Sequence, residues 1–262
     1  MHPALWISKT GLDAAQTDVS VISNNLANAS TVGFKKSRAI FEDLLYQNIN
    51  QPGGRSSADT ELPSGLMLGA GSKVVATQKA FTQGNMITTE NSLDMMIQGD
   101  GFFEILQPDG TIAYTRNGQF TLDDTGQIVT PGAGFLLQPN ITVPEDAIKL
   151  TVSQEGEVSA TIPGQADPVV LGQITISNFI NPTGLQPIGQ NLYLESAVSG
   201  APLQGVPGLQ GLGSIVQGSL ETSNVNVTEE LVNLIESQRL YEMNSKVISS
   251  VDQMLGQVIQ QL

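Results

Sequence analysis

The reactive side chains of this sequence are few. His2 is the single histidine and there is no cysteine. A Ser-His-Asp triad therefore rests on one residue at the chain end, and a His- or Cys-ligated metal lacks its other ligands. Carboxylates remain. Glu145-Asp146 and Glu155/Glu157 have the proximity of paired acids that cleave glycosides. Asp123 and Asp124 precede Gly126, but the alternating oxygen ligands and distal Glu of a calcium loop are missing. Gly99-Asp100-Gly101 resembles a fragment of a phosphate loop, yet it leads into the strand-like run FFEIL and not into a helix. In an acidic, β-rich stretch each of these reads more simply as a turn or as solvated charge. The sequence gives no ground to expect a catalytic residue, a metal ligand or a cofactor.

The chain has 262 residues, enough for one large domain or two smaller ones. Charged residues make up 14%, well below the roughly 25% of ordinary soluble proteins. Eleven basic residues stand against 25 acidic ones, which argues against nucleic acid as a partner. A surface poor in charge and rich in neutral polar groups suits a chain packed against copies of itself, and also suits some secreted proteins. No run approaches the ~20 apolar residues of a membrane span, and the N-terminus lacks the basic and apolar regions of a cleaved leader.

Both ends read as helices. Leu5, Ser8, Leu12, Ala15, Val19, Ile22, Leu26 and Ala29 alternate three and four apart, an a/d heptad pattern, and Gly33 before Phe34 supplies a C-terminal cap signal. Near the other end Leu234, Tyr241, Ile248, Leu255 and Leu262 recur every seven residues, and Leu231 and Ile259 join them. Gln238, Ser245 and Asp252 interrupt this seam, and Val247, Val251, Met254 and Val258 form a second stripe beside it. Asn226, three residues before Glu229, has the spacing of an N-cap. The pattern fits either pairing of the two ends or ordinary packing on a central domain. Composition favours pairing: residues 1–32 hold three charged side chains against eleven Ser, Thr, Asn and Gln. Asn24, Asn25 and Asn28 occupy positions where an exposed helix carries Lys or Glu, and neutral amides cost less to bury than charges.

Between the helices the expectation is β. FFEIL and TIAYT flank Pro108-Asp109-Gly110, a hairpin signature, and AIKLTV and EVSAT flank Gln154-Glu155-Gly156. VVLGQITISNF (169–179) reads as one long β-rich run. The fold class is α+β, in three parts: paired terminal helices (1–33 with 222–262), a connecting segment (34–75 with 199–221) rich in Gly, Ser and Pro, and a β-rich domain (76–198).

Two segments resemble a known family. ISNNLANASTVGFK (22–35) is similar to the N-terminal signature of the bacterial flagellar rod and hook proteins. ETSNVNVTEELVN (221–233), with Gln238-Arg239 and Tyr241-Glu242, is similar to their C-terminal signature. LWISKTGL, FEDLLYQ (41–47), QPG (51–53), LPSGLMLGAG (62–71), AYTRNGQF (113–120) and PIGQNLYLES (187–196) resemble the distal-rod branch of that family. The resemblance implies a structural subunit whose terminal helices pair as an inner domain, stack helically around a channel and transmit torque. It implies export through the flagellar type III apparatus without a cleaved signal, and a rod spanning the periplasm to the outer membrane. The implied partners are further copies of the chain, proximal rod subunits, the hook protein and the P-ring and L-ring proteins. Interface positions would be Leu5, Leu12, Val19, Ile22, Asn24, Asn25, Leu26 and Asn28, with Leu231, Leu234, Tyr241, Ile248 and Leu255; Gly33 and Asn226 would be helix caps. A proximal rod or hook subunit is the nearest alternative. A secreted β-rich binding protein or a peptidoglycan hydrolase is the alternative of another class.

Overall fold

A computed structural model describes residues 3–50, 55–57, 60–61, 65–164 and 167–260. His2 and the QPG stretch at 51–53 lie outside them. The architecture is α+β: helix α1 (Pro3–Ala27) and helix α2 (Val227–Gln260) bracket a succession of strands. Pro3 opens α1, where its missing N–H costs nothing.

The chain forms two compact units. The first holds α1, residues 37–79 and α2; the second holds residues 28–36 and 80–225. This differs from the three-part division expected from composition. The described residues of 37–79 form an arm of antiparallel pairs: Ser37–Asp43 with Ser72–Lys79, Tyr46–Asn50 with Leu66–Gly69, and Arg55–Ser57 with Thr60–Glu61. Residues 199–221 are strands of the second unit: Leu203–Gly205 pairs Ile176–Asn178, Ser214–Gln217 pairs Met95–Gln98, and Ser219–Glu221 pairs Met86–Thr88. The runs at 214–217 and 219–221 pair with strands more than a hundred residues earlier, which composition does not reveal.

In the second unit a nine-stranded sheet centres on Phe102–Leu106. One edge of that strand pairs with Ile112–Thr115; the other is shared by Leu136–Gln138 and Ile176–Asn178. A three-stranded sheet, Lys149–Val152, Glu157–Thr161 and Val169–Gln173, lies beside it in sequence. There burial alternates: Leu150, Val152, Val158 and Ala160 point inward, and their neighbours are more open. The run 169–179 breaks between Gln173 and Ile176 and serves two sheets. Phe103, Ile105, Phe120, Ile128, Leu137, Val158, Ile174, Ile176 and Ile215 fill the main core. The other face of Phe102–Leu106 carries an aromatic cluster of Phe102, Tyr114, Phe179 and Tyr193, with ring centroids 4.8–6.2 Å apart and edge-to-face. Burial pushes the Tyr114 phenol up to about 12. Burial also raises Glu104, which accepts hydrogen bonds from Ser177 and, at 2.9 Å, from Gln204. The carboxylates of Asp123, Asp124, Glu145, Asp146, Glu155 and Glu157 belong to exposed residues. In water such acids are solvated charges.

Candidate functional site

The first unit pairs the chain's two ends. Ser8, Ala15, Ile22 and Asn25 are the buried positions of α1; Glu230, Ser237 and Val251 are those of α2, with Leu234, Asn244 and Ile248 half-buried beside them. Ser237 donates to Asp18 Oδ2 at 2.5 Å, and Asn25 Nδ2 donates to Glu230 Oε2 at 3.2 Å. Gly11 lies against Asn244 so closely that a Cβ on Gly11 would stand 2.8 Å from Asn244 Nδ2. Stepping down α1 by seven residues is matched by stepping back along α2 by seven, so the helices are antiparallel.

Leu5, Leu12, Val19, Leu26 and Asn28 are half-buried and Asn24 is exposed. On α2 Leu231, Tyr241 and Leu255 are exposed at 39–45%. At heptad spacing α2 thus turns inward buried Glu230, Ser237 and Val251 with half-buried Asn244, one residue before the expected Leu231 and before Gln238, Ser245 and Asp252, which interrupt the apolar seam. Hydrophobicity alone pointed to Leu231, whereas the helix packs through a polar edge that the opposite helix satisfies.

A second apolar stripe on α2 is left in water. Leu240, Val247 and Met254 lie seven apart with Met243 between them, and all four are 43–55% exposed. On α1 Trp6 and Ile7 are also exposed, and they line a groove of about 240 Å³ with Leu68 and Ala70. Seven-residue recurrence of large apolar groups in water is the mark of a helix face that lacks its partner.

Side-chain amides hold the start of α2 and the end of α1. Asn226 Oδ1 accepts the Thr228 N–H at 3.2 Å, which satisfies one of the orphan donors at the start of α2. Asn25 binds the backbone of Ser37 twice: its Oδ1 accepts the Ser37 N–H at 2.9 Å and its Nδ2 donates to the Ser37 carbonyl at 2.8 Å. One buried amide therefore ties the last turn of α1 to both the first strand of the arm and Glu230 of α2.

Gly33 does not cap α1. The helix ends at Ala27, and turns follow in which Asn28 O accepts from Thr31 N–H and Thr31 O from Phe34 N–H. Short polar Asn28 and β-branched Thr31 and Val32 favour such turns over another helical turn. Gly33 (φ +69°) sits in the second unit, where its N–H donates to the Glu221 carbonyl. A Cβ there would stand 2.7–2.9 Å from the backbone of Arg116 and Asn117. Its missing side chain permits a close backbone approach in a left-handed conformation.

That approach places Lys35 in the middle of the second unit, with 0% exposure. Lys35 Nζ donates to Glu221 Oε1 at 2.6 Å and to the Thr82 carbonyl at 2.7 Å. Glu221 Oε1 also accepts the Gly84 N–H, and Glu221 Oε2 faces Arg116 at 3.7 Å without a hydrogen bond. Arg116 donates to the carbonyls of Ile97 and Gly99 and lies 5.5 Å from the Phe102 ring centroid. Burial lowers the Lys35 ammonium from its ordinary range; Glu221 pulls it back up, and Arg116 adds to the lowering. Nearby, Asn224 Oδ1 accepts the Lys36 N–H while Asn224 Nδ2 donates to the Ala80 and Thr82 carbonyls. This cluster of Lys35, Arg116 and Glu221 was not legible beforehand. The only sequence signal was that all three fall inside segments whose likeness to the family had been noted.

The arrangement is that of a structural subunit: the chain's two ends meet as a helix pair, an apolar stripe runs beside it, and a buried polar cluster locks residues 28–36 to residues 221–224. Comparison with known proteins gives the class its name. Residues 6–35 match the family described as flagella basal body rod protein, residues 96–160 the flagellar hook protein FlgE/F/G D1 domain, and residues 216–261 the flagellar basal body rod FlgEFG protein C-terminal family. The chain belongs to the flagellar basal-body rod protein family. It is 54% identical to the flagellar basal-body rod protein FlgG of Buchnera aphidicola subsp. Schizaphis graminum, over 99% of this chain and 100% of that protein. Identity is 49% to the FlgG of Borreliella burgdorferi (98% and 97% covered) and 38% to that of Bacillus subtilis (99% and 98%).

Proposed function

We propose that this chain is the structural subunit of the flagellar distal rod, assembling with copies of itself into a hollow helical shaft that carries torque from motor to hook. Full-length similarity to basal-body rod proteins supports the rod reading. The exposed stripe Leu240, Met243, Val247 and Met254 supports assembly, because four large apolar groups on one helix face are stabilised by a neighbouring copy. The shaft works without catalysis, through many repeated interfaces. Its partners are proximal rod subunits, the hook protein and the P-ring and L-ring proteins, and it reaches the periplasm through the flagellar type III apparatus. The arm of residues 37–79, with Phe41, Leu45, Tyr46, Leu66, Met67 and Leu68 exposed, supplies further contacts between copies. The test is to express the chain in a flagellated bacterium that lacks its own basal-body rod protein. Rods and motility return on this reading. With residues 46–63 deleted, the chain is still exported but the rods are short or lose stiffness. Export without any rod from the intact chain would sink the proposal.

A further inference from the structure

The seam between α1 and α2 carries polar or small pairs at heptad spacing. Gly11 meets Asn244, Asp18 meets Ser237, and Asn25 meets Glu230. These alternate with layers built from Ser8, Ala15, Ile22, Leu234, Ile248 and Val251. An all-apolar seam of this length is degenerate, since sliding one helix by a heptad replaces each layer with another like it. These pairs remove that degeneracy: Asp18 accepts from Ser237, Asn25 donates to Glu230, and only a glycine at position 11 leaves room for Asn244. A slide of seven residues in one direction brings Asp18 level with Glu230, two carboxylates in one layer. A slide in the other direction carries Glu230 past the end of α1 and away from Asn25, leaving a carboxylate that is 4% exposed without its partner. It also sets Val251 against Gly11 and Asn244 against Asp18.

We infer that Gly11, Asp18, Asn25, Glu230, Ser237 and Asn244 are the specificity-determining residues of helix pairing. They select one register of α1 on α2 and do so at the expense of seam stability. Asn25 extends the selection to the arm, because the same amide holds Ser37. The inference stands on the pair within one chain and does not depend on the rod reading.

The absence of cysteine allows clean labelling. Spin labels are placed on the full chain at Lys9→Cys and Val232→Cys, both exposed positions, and their separation is measured by electron double resonance. The unaltered seam gives one narrow distance. With Asp18→Leu, Asn25→Leu, Glu230→Leu, Ser237→Leu and Asn244→Leu combined, the distribution splits, because a one-heptad slide moves the labels by about 10 Å along the axis. A second variant needs no wholesale replacement. Asp18→Lys makes the slid register attractive, with the new ammonium facing Glu230, and the distance shifts to a shorter value. A single unshifted distance in both variants overturns the inference. So does a broad distribution in the unaltered seam, since no register is then being selected.

Discussion

Replacing Glu221 by Gln is expected to destabilise the second unit more than any other single polar change. In the native unit two buried cations share one buried anion, with Lys35 Nζ at 2.6 Å and Arg116 Nη1 at 3.7 Å. Glu221→Gln leaves both cations facing a neutral amide, and breaking a buried pair by deleting one member costs about 3–5 kcal/mol. Lys35→Met is milder, because Arg116 remains to neutralise Glu221. The double change Lys35→Met with Glu221→Gln restores the original charge balance around Arg116, and the new amide still accepts from Gly84. It is therefore more stable than Glu221→Gln alone. Hydrogen exchange at strand Phe102–Leu106 reports this, since that strand is central to the sheet. Unchanged protection in Glu221→Gln, or a double variant no better than the single, would show that the cluster is not a coupled unit.

Val247→Asp is expected to abolish rod assembly without unfolding the isolated chain. Val247 is 43% exposed on the outer stripe of α2, so an aspartate there remains hydrated in the free subunit and changes its stability by less than about 0.5 kcal/mol. In a rod that carboxylate would be buried against a neighbour at a cost of several kcal/mol per copy, repeated at each interface. Ile248→Asp, one residue away, faces the half-buried seam and unpairs α1 from α2 as well. The two variants separate contacts within a subunit from contacts between subunits. Helicity by circular dichroism and rod yield from cells are the readouts. Normal rods from Val247→Asp would remove the stripe from the account.

The contrast between these residues shows what was legible in advance. Seven-residue recurrence of Leu234, Tyr241, Ile248 and Leu255 announced a helix with a seam; of the second stripe read beside it, Val247 and Met254 are exposed but Val251 is buried. Which side met α1 was not visible, because Glu230, Ser237 and Asn244 look like solvent positions until Asn25, Asp18 and Gly11 are seen opposite. The hairpin of FFEIL and TIAYT was local, a short turn between complementary strands, and so could be read directly. The pairing of Lys35 with Glu221 joins positions 186 residues apart; no spacing rule reaches that far. Gly33 was recognised as a residue that needs freedom of φ, but its reason lies in the backbone of Arg116 and Asn117, not in the helix before it. Strands 214–217 and 219–221 were hidden among glycines and prolines because their partners, Met95–Gln98 and Met86–Thr88, lie far earlier in the chain.

In the assembled rod the outer stripe of α2 is expected to be covered by another copy of this chain. Electron cryo-microscopy of hook–basal bodies assembled from this chain tests it most directly. The expected result is a helical rod in which Leu240, Met243, Val247 and Met254 of each subunit lie buried against helices of its neighbours. A rod built from this chain in which that stripe faces solvent would contradict it.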